Sequence, residues 1–360
     1  MASHRYARAL IDLQAFRSNL ALAKRYAGGR AVYAVVKADA YGHGMATIVG
    51  AAEAADGFCV ADLDEGLQLR ALVPERPIVV LQGAHDRAGR AAAAEAALTL
   101  VLHTSEQVAG FVDDLRPGDA PSTPWLELDS GMHRLGLDSS ALAAAKAQLE
   151  AKGLVPTVMT HFACADTPGA PLHEQQRAAA AALGSRSSAC NSAALLAGEV
   201  TADHIVRPGI MLYGGASLAE KTPEALGLAP VMALTSRILA LRTVPAGESV
   251  GYGASWVAPR ESRIATVALG YGDGYPRTLP SGTPVLTAAG IAPLVGRVSM
   301  DSLTIDITDL PSVGLGDRVT LWGKGLPVDQ LAAALGTIGY ELLTRLGSRV
   351  PRVVEGPAHG

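Results

Sequence analysis

Lys37 is the first residue to weigh for chemistry. It ends the apolar run AVYAVVK and opens the turn-rich string ADAYGHG. An amine rooted in apolar surroundings has its charged form penalised, and a neutral amine is what attack on an aldehyde requires. A lysine at a strand end equally often lays its stem along apolar surface and sends its ammonium to water. Position alone leaves both readings open. His161 ends TVMTH, Arg207 lies in VRPG, Asn191 and Ser192 precede AALLAG, and Tyr252 lies in VGYG. Taken singly, these read as a satisfied core histidine, a surface ion-pair partner, a helix start with Ser192 as N-cap, and a strand tyrosine with its hydroxyl in water. Arg134, in GMHRLG, offers the charge and forked donors that suit a carboxylate. Trp125, Glu127 and Asp129 alternate with Leu126 and Leu128 in PWLELD, so they share one strand face.

The elements that must hold these residues are legible from about 31 to 209, where short apolar runs alternate with helical patterns. Strand-like runs cover 31–37, 58–61, 77–81, 98–103, 125–129, 157–161, a short piece near 188–190, and 204–207. A helix over 62–72 has Asp62 as N-cap and Glu65 at N3, the pattern of a capping box. Another over 104–115 starts on Thr104. Several strands are apolar on both faces, as a parallel sheet covered by helices requires. Eight such units in roughly 200 residues predict an α/β fold, an N-terminal (β/α)8 TIM-type barrel whose chemistry sits at the C-terminal strand ends. A doubly wound open sheet is the competing architecture.

After about Pro230 the texture changes. SRILALRTV, SRIATVALG, VGRVSM, SLTIDI and DRVTLWG are separated by Gly, Pro and Asp turns, and helix returns near 328–335 and 340–346. The expected division is a barrel over 10–228 and a mainly β C-terminal domain over 229–360. The strand-like opening, RALIDL within 6–13, is a candidate to join the second domain.

With 360 residues, 49% hydrophobic and 18% charged, the chain suits two domains around large cores. A net charge of −4 without a basic block supplies no electrostatic footprint for nucleic acid. Three cysteines, Cys59, Cys164 and Cys190, show no CxxC spacing, so neither a disulfide framework nor a metal site is expected. The opening MASHRYARALIDL carries charges where a secretory signal needs an apolar stretch. No run reaches the roughly 18 apolar residues of a membrane helix, and a cytoplasmic location is the expectation.

AVVKADAYGHG closely resembles the cofactor-binding signature of alanine racemases. RALIDL, LDSGMHRLG, THFACAD, CNSAA, VRPGIMLYG, VGYGA, ALGYGDGYPR, GRVSMD, TIGYELL and the C-terminal RVPR match that family in the same order. The resemblance covers nearly the whole chain. It implies pyridoxal 5'-phosphate as cofactor, a small amino acid as substrate, a homodimer with shared active sites, and interconversion of L- and D-alanine, a peptidoglycan precursor. Racemisation removes a proton from one face of the α-carbon and delivers another to the opposite face, so two groups are needed. By resemblance one is Lys37 and the other is the partner's Tyr252. A tyrosine is a weak base, with an ordinary pKa of about 10, and His161 matches the histidine that hydrogen-bonds it.

Arg207 matches the arginine facing the pyridine nitrogen. Arginine does not surrender a proton, so the ring becomes a poorer electron sink and prompt reprotonation is favoured over transamination. Tyr41, Ser192, Gly209, Ile210 and Tyr340 match the phosphate ligands, with Asn191 beside Ser192. Arg134 and the backbone of Met300 match contacts to the substrate carboxylate. Tyr271 matches a tyrosine that narrows the entrance, and Asp301 its polar neighbourhood; Asp273 and Arg277 read as structural.

The chain departs from the family's pattern at two positions. Ser299 stands where a cysteine is usual, and Glu127 stands where many relatives carry a lysine that becomes carbamylated and holds the substrate arginine. Glu127 is expected to supply that charge to Arg134 through a water, its side chain being shorter by about three bonds, or to pair with another barrel residue, since buried carboxylates need partners. Competing functions are a racemase for serine or a broader set of amino acids, a decarboxylase of similar architecture, and a barrel that only stores or delivers the cofactor. Decarboxylases usually place a carboxylate where this chain has Arg207, and carrier barrels lack the second domain.

Overall fold

A computed structural model describes residues 4–116, 122–167, 169–184, 186–200, 204–216, 218 and 221–355, so the last five residues of the 229–360 segment lie outside it. Eight parallel strands form the first domain: Ala31–Val35, Gly57–Val60, Ile78–Val80, Thr99–Leu102, Trp125–Glu127, Thr157–Met159, Ser187–Ser188 and Ile205–Val206. Each pairs with its neighbour, and the last returns to the first through Ala31↔Ile205. Backbone bonds from His204 N to Ser187 O and from Arg207 N to Cys190 O, each 2.9 Å, draw the remaining seam together. This is the barrel, not the open sheet. Every residue of Gly57–Val60, Ile78–Val80 and Trp125–Glu127 is buried, which is why those runs show no alternation.

The strands are shorter than their apolar runs. The first stops at Val35 and the seventh covers only Ser187–Ser188, which leaves the reactive residues on the segments that follow. Helix Leu63–Leu72 starts where Asp62 Oδ1 accepts from Glu65 N at 2.9 Å. The reciprocal half of the expected capping box is different. Glu65 Oε2 accepts from Ala61 N at 2.8 Å and its Oε1 from Ala38 N at 2.6 Å, so this carboxylate ties the helix to the segment after Lys37. Helix Ser105–Asp114 is capped by Thr104, whose hydroxyl accepts from Gln107 N.

The 13-residue strand Met232–Val244 organises the second sheet. It pairs antiparallel with Arg8–Ile11, Ser262–Val267 and Arg318–Trp322, and its register shifts between Ile238 and Ala240. That bulge turns one long strand from one set of partners to the other. Arg352–Val354 lies parallel to Arg8–Ile11, so both ends of the chain enter this sheet. VGRVSM, strand-like by composition, forms no regular strand; its end is held by a bond from Ser299 N to Ser302 O at 2.8 Å. Helices Val328–Ala334 and Gly339–Thr344 close the chain over the barrel mouth, where Ile338, Tyr340, Glu341 and Thr344 join its wall. Among the described residues no helix is long and apolar enough to cross a membrane.

Candidate active site at the barrel mouth

After Lys37 the backbone does something unusual for L-residues. Ala38, Asp39, Ala40 and Tyr41 have φ of 52°, 51°, 55° and 53°, one turn of left-handed helix, at a cost of about 1–2 kcal/mol per residue. Such strain persists only where the surroundings over-determine it. Besides Glu65 on Ala38, Asp39 Oδ1 accepts from Met45 N at 2.6 Å, Ala40 N donates to Val36 O at 2.9 Å, and Arg352 Nε donates to Gly42 O at 2.9 Å. At Gly42, with φ 77°, a Cβ would stand 2.2 Å from the Leu343 carbonyl oxygen, so glycine alone serves there. The turn puts Lys37 and Tyr41 on the wall of one cavity of about 780 Å³, which His161, Arg207 and Arg134 also line.

Burial first, and then the guanidinium of Arg134, push the Lys37 pKa down, against a smaller opposing pull from Glu65. The amine is thereby biased toward its neutral, nucleophilic form. Arg207 is buried, not a surface ion-pair partner. It donates to Thr160 O at 2.9 Å and to the Ser188 hydroxyl, and among the described residues no carboxylate pairs with it. A buried guanidinium without a counter-ion is expensive, so this group is held for something that enters the cavity. Burial, followed by Arg207, Arg134 and Lys37, pushes His161 down to about 3. Its imidazole is neutral at ordinary pH.

The opposite end of the cavity is built from neutral groups. Ser192 Oγ accepts from Gly209 N at 2.8 Å and from Met211 N at 3.3 Å. Ser192 is not the N-cap of Ser192–Leu196: Asn191 is, its side chain accepting from Ala194 N at 3.1 Å while its amide donates to Phe162 O. The serine oxygen is taken by the Gly209 and Met211 amides, and its hydroxyl hydrogen can serve the cavity, which Asn191, Ser192, Gly209, Ile210 and Tyr340 all line. A Cβ at Gly209 would stand 2.3 Å from the Tyr41 hydroxyl, so a side chain there would fill the cradle. Burial raises the pKa of both Tyr41 and Tyr340, which keeps their hydroxyls as donors.

Of the two expectations for Glu127, the direct contact seen is with another barrel residue, while Glu127 and Arg134 line the same cavity. Glu127 Oε2 lies 2.8 Å from His103 Nδ1, both side chains are buried, and among the described residues no ion pair joins Glu127 to Arg134. Leu102↔Leu126 pairing sets residues 103 and 127 side by side, within reach of a short carboxylate. Sequence reasoning also missed Thr160, Ser188 and Gln176. Thr160 and Ser188 hold Arg207, and Gln176 donates to the His161 carbonyl oxygen at 2.9 Å and to Ser130 at 3.1 Å. Hydroxyls at the ends of TVMT and SS were the available signal.

Four predicted residues stand elsewhere. Tyr252, Met300 and Tyr271 are 67%, 53% and 39% exposed, and none of them, nor Asp301, lines the cavity of its own chain. His161 therefore does not meet Tyr252 within one chain. Three of the four are knitted together on the C-terminal domain. Tyr271 N donates to Ser299 O at 3.0 Å, Gly272 N to Met300 O at 2.8 Å, and Arg349 to Asp301 at 2.5 Å. Asp273, fully buried, accepts from Gly270 N at 3.0 Å and from Arg5 at 2.5 Å, which makes it the anchor of this surface.

Comparison with known proteins follows the same division. The family model "Alanine racemase, N-terminal domain" matches residues 11–217, and "Alanine racemase, C-terminal domain" matches 231–354. The chain is similar to the biosynthetic alanine racemase of Pseudomonas aeruginosa, 49% identical over 96% of this chain and 98% of that one. It is 45% identical to the catabolic alanine racemase of Pseudomonas putida over 97% and 98%. A crystal structure of the biosynthetic enzyme from Pseudomonas aeruginosa superposes with a TM-score of 0.93 at 48% identity, covering 98% of this chain and 100% of that one. The alanine racemase of Bartonella henselae with covalently bound pyridoxal phosphate superposes at 0.87, 30% identical, over 97% and 99%.

Proposed function

The chain belongs to the alanine racemase family, and on that premise we propose how its residues interconvert L- and D-alanine with pyridoxal phosphate. The observation that carries the reading is the cavity at Lys37, where a neutral-biased amine, an unpaired buried guanidinium and a cradle of neutral donors share one space. The cofactor fits these groups. Its phosphate suits the end formed by Tyr41, Ser192, Gly209, Ile210 and Tyr340, its ring nitrogen suits Arg207, and its aldehyde suits Lys37. When bound, it withdraws electrons from the substrate α-carbon and so eases loss of the proton there.

Lys37 would hold the cofactor and, when free of it, take up or return the proton on one face of the substrate α-carbon. Arg207 would face the ring nitrogen as a donor that keeps its own proton, which would limit electron withdrawal and favour proton return over transamination. Arg134 offers paired donors to the substrate carboxylate. His161, held neutral, adds a hydrogen-bonding group without a further positive charge beside Arg134 and Arg207.

For the second face we infer a homodimer in which the partner's Tyr252 enters the cavity and hydrogen-bonds His161. The partner's Tyr271, Met300 and Asp301 would come with it, the two tyrosines leaving room for little beyond a methyl side chain. The support is that these residues are exposed on one domain and absent from the cavity of their own chain. A cytoplasmic location fits the three free cysteines, and supply of D-alanine for peptidoglycan is the role we propose.

Mixed dimers test this arrangement. Lys37→Ala and Tyr252→Phe proteins should each be strongly impaired alone, but unfolded and refolded together they should recover about a quarter of wild-type activity, because half the molecules become mixed and each has one intact site. No recovery would defeat the shared site. Assay across alanine, serine and larger amino acids tests the substrate range.

A further inference from the structure

We propose that His43 is a positioning residue for the cofactor-bearing turn, its ring holding residues 38–41 in the left-handed conformation that sets Lys37 and Tyr41 on one cavity wall. The inference rests on Lys37 being the cofactor lysine. His43 is fully buried, and its Nδ1 lies 2.9 Å from Tyr41 O and 3.1 Å from Ala40 O. Both neighbours are acceptors, so Nδ1 carries the hydrogen and donates to them. The other polar groups of the turn have further partners: Ala38 N in Glu65, Ala38 O in Gly42 N, Asp39 O in Gly44 N, Ala40 O also in His43 N, and Gly42 O in Arg352. The Tyr41 carbonyl takes its hydrogen bond from the His43 ring. Without that donor a buried acceptor in a strained segment is left unsatisfied.

The ring is held on its other side as well. Its centroid lies 4.7 Å from that of Tyr213, which stacks on Tyr41 at 4.7 Å and donates its hydroxyl to Val35 O at 2.9 Å. The imidazole thus links the turn to the strand that delivers Lys37. Its Nε2 is buried with no partner. Burial pushes its pKa down to about 4, against the pull of the two carbonyls and with Arg352 adding to the fall, so the ring is neutral and its tautomer is set by the turn. Lys37 and Tyr41 serve opposite ends of one ligand from four residues apart. A turn that relaxed toward the right-handed region would change their separation, so the predicted loss falls on cofactor retention before it falls on folding.

His43→Phe keeps a ring against Tyr213 and removes the donor; His43→Asn keeps a donor. The measurement is the rate at which holoenzyme releases pyridoxal phosphate to an excess of scavenger, read beside the thermal unfolding of the cofactor-stripped full chain. We expect release about tenfold faster for His43→Phe, within about threefold of wild type for His43→Asn, and unfolding midpoints that do not track this order. Adding Ala40→Gly to His43→Phe should recover much of the retention, because glycine adopts the turn's φ without penalty; this double variant also stands in if His43→Phe does not fold. Unchanged release in His43→Phe, equal loss in His43→Asn, or no recovery on adding Ala40→Gly would each overturn the proposal. Borohydride reduction of wild type reports separately on Lys37: attachment elsewhere would sink the assignment of that lysine, whatever His43 does.

Discussion

Lys37 and Arg207 line a cavity at the barrel mouth of their own chain, whereas Tyr252 and Met300 are 67% and 53% exposed on the C-terminal domain. In the barrel half, desolvation lowers the affinity of the amine and imidazole for protons, and the donors line one shared cavity. Electrostatic groups are worth most in such a setting. The C-terminal half has a rigid base, with Asp273 buried against Arg5, but its reactive side chains face outward. Under the proposed function, a single chain would complete cofactor binding and leave proton delivery to the second face to its partner.

That contrast sets the expected order of effects. Lys37→Ala should remove the reducible cofactor linkage and lower kcat by about 10⁴-fold, as read by borohydride trapping and optical rotation. Tyr252→Phe should lower kcat by roughly 10²–10³-fold while the cofactor absorbance stays that of wild type. A spectrum disturbed as strongly as that of Lys37→Ala would erase the distinction between the two halves.

Glu127→Gln sharpens the barrel side of the comparison. Its partner is His103, so the change should cost about 1–3 kcal/mol of stability in urea unfolding, with KM for alanine moving less than about threefold. A KM increase of tenfold or more would return Glu127 to the service of Arg134. The smallest effect is on pH dependence. His43 and His161 have folded-state pKa values pushed down to about 4 and about 3, below the ordinary value of about 6.5. As pH falls below about 6.5 the unfolded chain binds protons that the folded chain refuses, so stability declines until each folded pKa is reached. His161→Gln should make that decline shallower by about one proton between pH 6.5 and pH 4. An identical slope would mean that His161 is charged or exposed in the folded protein.

Much of the barrel was legible because burial on both faces leaves continuous apolar runs, and helix starts at Asp62 and Thr104 carry their own caps. The candidate residues at the barrel mouth were found at or just after strand ends, where such a barrel exposes them. Other features were not legible. VGRVSM has strand composition, yet it runs as irregular backbone with Val295 and Val298 buried. Ser192 looked like a cap, but the residue before it takes that task. Nothing in ADAY marks four left-handed residues, since the types present are ordinary helix and loop formers.

The sequence by itself determined the alternation of buried strands and capped helices, the change to short strands beyond residue 230, and the residue types at the strand ends. These are properties of short windows, set by which side chains leave water. Tertiary structure alone decided that Glu65 holds Ala38 from 27 positions away, that Glu127 turns to His103, and that His43 closes on the turn before it. Hydrogen bonds and charge pairs select their partners by distance and direction in space, and those are established only once the strands are in register.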